Sequence, residues 1–181
     1  NNIYNLNDSR LPHLIIISSC LFFLIGISDD LFKLKPLPKL ALQFITASYL
    51  YSAGVNFDGL EFFTFQKSNL IIYVPEIISC LITIFLIVGL TNGFNWLDGL
   101  DGLASGISFI LCACLGIIFI AKGQFNLALI SCAIAGSTVG FLRYNIYPAK
   151  ILMGDCGSYL LGGTLSTLSI LGLSQNEYNS L

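Results

Sequence analysis

Charge is scarce in this sequence: of 181 residues only 10% are Asp, Glu, Lys or Arg, against roughly 25% in an ordinary soluble domain. Eight basic and ten acidic residues leave a net charge of −2. No Lys/Arg run interrupts the chain, so neither nucleic acid nor an anionic-lipid patch is indicated as a partner. His13 is the only histidine and reads as an interfacial side chain without a role. The six cysteines, Cys20, Cys80, Cys112, Cys114, Cys132 and Cys156, lack a CxxC pair or a neighbouring histidine. Metal-site spacing is therefore missing, and they read as small hydrophobes. The opening NNIYNLNDSRLPH has no basic region, and Asp29 and Asp30 follow the first apolar run in place of a small-residue cleavage site. No cleaved leader is expected. With no fixed-period repeat and no Ser/Pro-rich linker, the residues 1–181 read as one domain.

What is abundant is apolar surface. Hydrophobic residues make up 55% of the chain and the mean hydropathy is +0.82, more than the core of so small a globule can hide, so lipid must cover the excess. A membrane-crossing helix needs about 20 mostly apolar residues. Leu103–Ala121, Gly123–Leu142 and Cys156–Ser174 supply that without charge, and Leu11–Ser28 does so apart from His13. Leu37–Ala53 holds only Lys39, near enough to its end to snorkel. Ile77–Leu90 is short, but no breaker follows until Gly93, so that helix is free to continue past Thr91. The expectation is an all-α integral membrane protein, a polytopic bundle of six transmembrane helices. Between the second and third, the stretch 54–75 is rich in aromatic and β-branched residues and carries Asp58-Gly59, which reads as a short hairpin outside the lipid.

Parity then sorts the charges. Counting crossings places Asp29, Asp30, Asp98, Asp101 and Asp155 on one surface, five of the ten acidic residues. The same surface carries Lys33, Lys35, Lys39, Arg143 and Lys150, against Arg10, Lys67 and Lys122 opposite. By the positive-inside rule it faces the cytoplasm. Trp96 falls at this boundary, where aromatic belts anchor helices. Asn145 and Pro148 are expected to shape the turn before MGD.

A single aspartate at a helix end is commonly just interfacial. Five on one face suggest a site. Adjacent Asp29 and Asp30 repel unless a proton or cation intervenes. Asp98 and Asp101 are three apart, which on a helix puts both on one side, with Gly99 and Gly102 removing bulk beside them. Carboxylate and amide oxygens suit Mg²⁺, which takes one or two carboxylates together with substrate phosphate oxygens. Lys39, Arg143, Lys150 and the backbone donors of the MGDCGS turn before a helix could meet those phosphates. Such a set resembles a phosphoryl-transfer site, where positioning and charge neutralisation supply much of the rate.

Three stretches, GISDDLFKLKPLPKLALQ, TNGFNWLDGLDGLASG and GFLRYNIYPAKILMGDCGSYLLGG, resemble in order and spacing the motifs of the polyprenyl-phosphate N-acetylhexosamine-1-phosphate transferases. These enzymes begin O-antigen, teichoic acid and lipid-linked peptidoglycan synthesis. The resemblance implies transfer of a sugar 1-phosphate from a UDP-sugar to polyprenyl phosphate at the bilayer, releasing UMP, with Mg²⁺ (or Mn²⁺) as cofactor. A homodimer is compatible with it. By position, Asp155 matches the family's metal-binding aspartate and Asn95 an amide ligand beside it. Asp29 matches the residue proposed to deprotonate or orient the lipid phosphate, and Asp30 its companion. Asp98 and Asp101 match carboxylates placed around the nucleotide, Lys39 a phosphate-contacting lysine, and Asn92 falls among the substrate-facing positions. Leu152 stands where many members carry a phenylalanine that stacks on uracil. It can pack against the base but not stack on it. The family's histidine-rich loop has no match, and the chain begins late and stops early relative to the family's fold, which reads as a fragment.

Two other readings stay open at this level. An ion- or proton-coupled transporter also carries intramembrane carboxylates, but near mid-span. An inactive partial copy of the transferase is the other.

Overall fold

The computed structural model describes residues 10–57, 59–62 and 70–173. It contains six helices: α1 (Arg10–Phe32), α2 (Pro36–Ser52), α3 (Glu76–Leu97), α4 (Leu103–Ala121), α5 (Phe125–Asn145) and α6 (Gly154–Leu173). Each falls where an apolar run predicts one, and α3 does run past Thr91, to Leu97. The starts follow local chemistry. Proline enters the first turn of α2 after an extended Lys35, where its missing N–H costs nothing. Gly102 precedes α4 at φ +75°, a left-handed conformation that side chains disfavour.

Between α2 and α3 lies the expected hairpin, β1 (Gly59–Phe62) paired antiparallel with β2 (Leu70–Tyr73), Gly59 opposite Tyr73 and Phe62 opposite Leu70. Gly59 thus opens the first strand at the end away from the reversal, so the Asp-Gly pair is not the turn. Asp58, Lys67 and the connection 63–69 lie outside the described residues, as does the polar tail after Leu173.

On length and apolarity alone, α1, α3, α4 and α5 can cross a membrane; the chain is a polytopic helical membrane protein. α2 has only 17 residues. α6 is long enough but is rich in Gly, Ser and Thr, and the reason lies in its position. It is the central helix, packed chiefly against α1 and α3 and buried over most of its length. A helix wrapped by others needs small residues for close approach and hydroxyls that find partners across the interface. Ser18 Oγ donates to the Gly163 carbonyl at 3.1 Å and meets Thr167 Oγ1 at 2.8 Å; Ser19 Oγ meets Thr164 Oγ1 at 2.7 Å. A Cβ on Gly162 would stand 2.5 Å from Thr91 Cα, and one on Gly26 would land on Cys156 Cα. The core here is made of backbones in contact, with Phe22, Phe119 and Tyr159 filling the spaces between. All six cysteines are free thiols.

Candidate active site

The antiparallel order of the helices brings the ends of α1, α3 and α5 and the starts of α2, α4 and α6 to one end of the bundle, and the five aspartates with them. Asp29, in the last turn of α1, is only 6% exposed. One of its oxygens accepts from Leu34 N at 3.0 Å, and the other accepts from Lys39 Nζ at 2.5 Å. Lys39, in the first turn of α2, reaches Asp155 Oδ2 at 3.4 Å and lies over the buried Tyr159 ring, 4.9 Å from its centroid. The lysine therefore does not snorkel outward. Two carboxylates and a π face draw its ammonium inward, where each interaction is strengthened by partial desolvation. On the other side Asn95 Nδ2 donates to Asp155 Oδ1 and, at 3.1 Å, to Ser158 Oγ.

The remaining carboxylates serve the backbone. Asp30 accepts from Asp155 N and Cys156 N, each at 3.0 Å, and Asp98 accepts from Gly154 N at 3.1 Å. The first three N–H groups of α6 are thus taken, which corrects the expectation that the MGDCGS turn offers them to a phosphate. Asp98 and Asp101 lie in the turn between α3 and α4, not on one helical side as their spacing suggests, because α3 stops at Leu97; Asp101 accepts from Ala149 N at 2.9 Å and holds the loop leading to α6. Burial pushes the Asp98 carboxyl above its ordinary value; the Gly154 hydrogen bond pulls it back, and Asp155 and Asp30 add to the rise.

Other expected positions sit apart from this cluster. Asn92 forms an amide pair with Gln43 of α2, donating at 2.6 Å, and so joins two helices about one turn below Asn95. Leu152 and Trp96 are 73% and 82% exposed at the same end. Arg143 and Lys150 make no ion pair among the described residues. His13 is exposed near the start of α1, at the opposite end.

Sequence reasoning passed over several contributors. Gln43 follows Lys39 by four residues, Ser158 and Tyr159 follow Asp155 by three and four, and Gly26 precedes Asp29 by three. The signal was helical spacing from a charged residue. Asn145, read only as a turn former, is 2% exposed. Its Oδ1 accepts from Gly102 N at 3.1 Å and Ser105 Oγ at 2.9 Å, and its Nδ2 donates to the Ile151 carbonyl at 3.0 Å. It ties the start of α4 to the loop before α6. Asn145→Ala takes the partner from Gly102 N and the Ile151 carbonyl, while Ser105 Oγ keeps its 3.3 Å bond to the Gly102 carbonyl; a buried group left without a partner costs about 1 to 3 kcal/mol. We expect a loss on the order of 2 to 4 kcal/mol, read as a lowered thermal midpoint in detergent.

Among the described residues no three His, Cys, Asp or Glu side chains converge in a ready-made metal cage. The donor set nonetheless fits Mg²⁺, which needs only one or two carboxylates when substrate and water supply the other oxygens. Asp29 and Asp155 converge, Asn95 and Ser158 lie beside them, and the Lys39 ammonium standing between the two acids shows that this spot demands positive charge.

Residues 13–173 match the model of glycosyl transferase family 4. A probable undecaprenyl-phosphate N-acetylglucosaminyl 1-phosphate transferase of Bacillus subtilis (strain 168) is 36% identical over 161 residues, 88% of this chain and 43% of the relative. A phospho-N-acetylmuramoyl-pentapeptide-transferase of Thermoanaerobacter sp. (strain X514) is 38% identical over 160 residues, 82% of this chain and 49% of the relative. One of the same description from Caldicellulosiruptor bescii is 36% identical over 168 residues, covering 86% and 51%. The chain spans about half the length of the relatives it matches.

Proposed function

This chain belongs to glycosyl transferase family 4, and from that membership and the converging carboxylates we propose that it transfers a sugar 1-phosphate from a UDP-sugar to undecaprenyl phosphate. The product is the first lipid-linked intermediate of a cell-envelope glycan. The relatives' names, which specify N-acetylglucosaminyl 1-phosphate and phospho-N-acetylmuramoyl-pentapeptide transfer, support an N-acetylhexosamine as the sugar. The observation that carries the reading is the Lys39 ammonium held between Asp29 and Asp155 beside Asn95. It is a cation fixed among oxygen ligands at one end of a helical bundle.

In the reaction, an oxygen of the lipid phosphate attacks the β-phosphorus of the donor. The new P–O bond forms as the bond to the α-phosphate breaks, and UMP leaves. A phosphate monoester dianion already attacks well, so a strong base is unnecessary; Asp29 holds Lys39 in place and Lys39 screens the phosphates against one another. Bound between Asp155, Asn95 and the donor, Mg²⁺ would supply charge neutralisation on the diphosphate. Exposed apolar side chains at this end, among them Leu31, Phe32 and Leu37, give the prenyl chain a lipid-side approach. The polar donor arrives from the cytoplasm, a reading that the five-to-three bias of basic residues on the cluster's side supports.

A transporter would need its ionisable groups along a path through the bundle. Here Asp29, Asp98 and Asp155 lie at one end, which favours surface chemistry. The test is UMP release by membranes containing the protein, supplied with undecaprenyl phosphate, Mg²⁺ and either UDP-N-acetylglucosamine or UDP-N-acetylmuramoyl-pentapeptide. Release that needs the lipid phosphate and stops on chelation with EDTA is the expected result. No release from either donor, or release indifferent to the lipid, overturns the reading.

A further inference from the structure

We propose that Asp30 is a positioning residue whose carboxylate, reaching across from α1, serves as the missing N-cap of α6 and thereby fixes where Asp155 stands. The inference deepens the transferase reading and rests on it. A helix start leaves its first N–H groups without intrahelical partners, and a local Ser, Thr, Asp or Asn usually answers one of them. The residues before α6 are Ile151, Leu152 and Met153, and none has a side-chain oxygen to offer. Asp30 substitutes from another helix. Its two oxygens take Asp155 N and Cys156 N at 3.0 Å each, while Asp98 takes Gly154 N at 3.1 Å.

Gly154, at φ +73°, leaves room for this, since a Cβ there would stand 3.3 Å from Asp30 Oδ2. A negative charge at a helix N-terminus is also favoured by the helix dipole. Asp29 and Asp30 point in different directions because neighbours on a helix diverge by about 100°. Asp29 meets Lys39, and Asp30 meets the backbone of the very residue that Lys39 and Asn95 grip by its side chain. The adjacent acids thus divide two tasks: one orients the cation and the other orients Asp155.

Backbone hydrogen exchange separates this role from direct chemistry. In the full protein, Asp30→Ala should speed exchange over residues 153–158 by about tenfold or more while α4 keeps its protection. It should also lower kcat by about 10- to 100-fold, the range for residues that orient a metal ligand, with little change in KM for the donor. Asp30→Asn keeps one acceptor oxygen and should fall between wild type and Asp30→Ala in both readouts. Lost turnover with unchanged exchange over 153–158 overturns the proposal, as does faster exchange with wild-type turnover. Should Asp30→Ala loosen α4 as well, Asp30→Asn decides by the same comparison. If the wild-type protein releases no UMP, the function fails on its own, and the exchange measurement still decides whether Asp30 caps α6.

Discussion

Asp155→Asn should reduce UMP release by at least about 10³-fold, the scale seen when a preorganised charge is removed from a transferring phosphoryl group, and leave a folded protein. The substitution keeps the shape of the side chain and an oxygen to accept the Asn95 hydrogen bond. It removes the negative charge that shares Lys39 with Asp29. Because Asp29 still holds Lys39 at 2.5 Å and the first turn of α6 is held by its backbone, packing should survive. Thermal unfolding in detergent should therefore stay near wild type while turnover collapses. A variant that turns over normally would remove Asp155 from the chemistry, and one that unfolds would show the charge to be structural instead.

The six helices and the shared surface of the five aspartates were legible in the sequence because both follow from the count of apolar runs; the ends were less so, since α1 runs past Ser28 to Phe32 and α3 past Leu90 to Leu97, where polar residues continue a helix that apolarity alone would stop. What pairs with what was not legible. Lys39, one charge near the end of an apolar run, fits snorkelling outward as well as turning inward; the choice depends on Asp155, 116 residues away. The MGDCGS turn looked like an anion site because a helix start with glycine normally is one. Nothing local says that Asp30 and Asp98 have already filled it. α6 hid its central place for a related reason: lowered hydropathy marks a poor lipid-facing helix and a good protein-facing one alike, and only the hydroxyl pairs with Ser18 and Ser19 decide between them.

Close approach between α1 and α6 yields the second large effect, at a residue with no chemistry of its own. Gly26→Ala should lower kcat by roughly 10²-fold, the penalty expected when reacting groups are displaced by about 1 Å. The added Cβ would overlap Cys156 Cα and stand 2.5 Å from the Asp155 carbonyl oxygen. Those are backbone atoms inside a helix, so no side chain can swing aside, and the two helices must part. Parting moves Asp29 and Asp30 away from Asp155 together, opening the 3.4 Å Lys39 contact and the two 3.0 Å amide bonds at once. Overpacking of this kind costs about 1 to 3 kcal/mol, which lowers the thermal midpoint as well. Gly136→Ala in α5 is the control: its Cβ would meet nothing within 4 Å, and it should leave turnover unchanged while gaining slightly in helix propensity. If Gly26→Ala turns over like wild type, the α1–α6 spacing does not govern the site, and the carboxylates tolerate more separation than their hydrogen bonds imply.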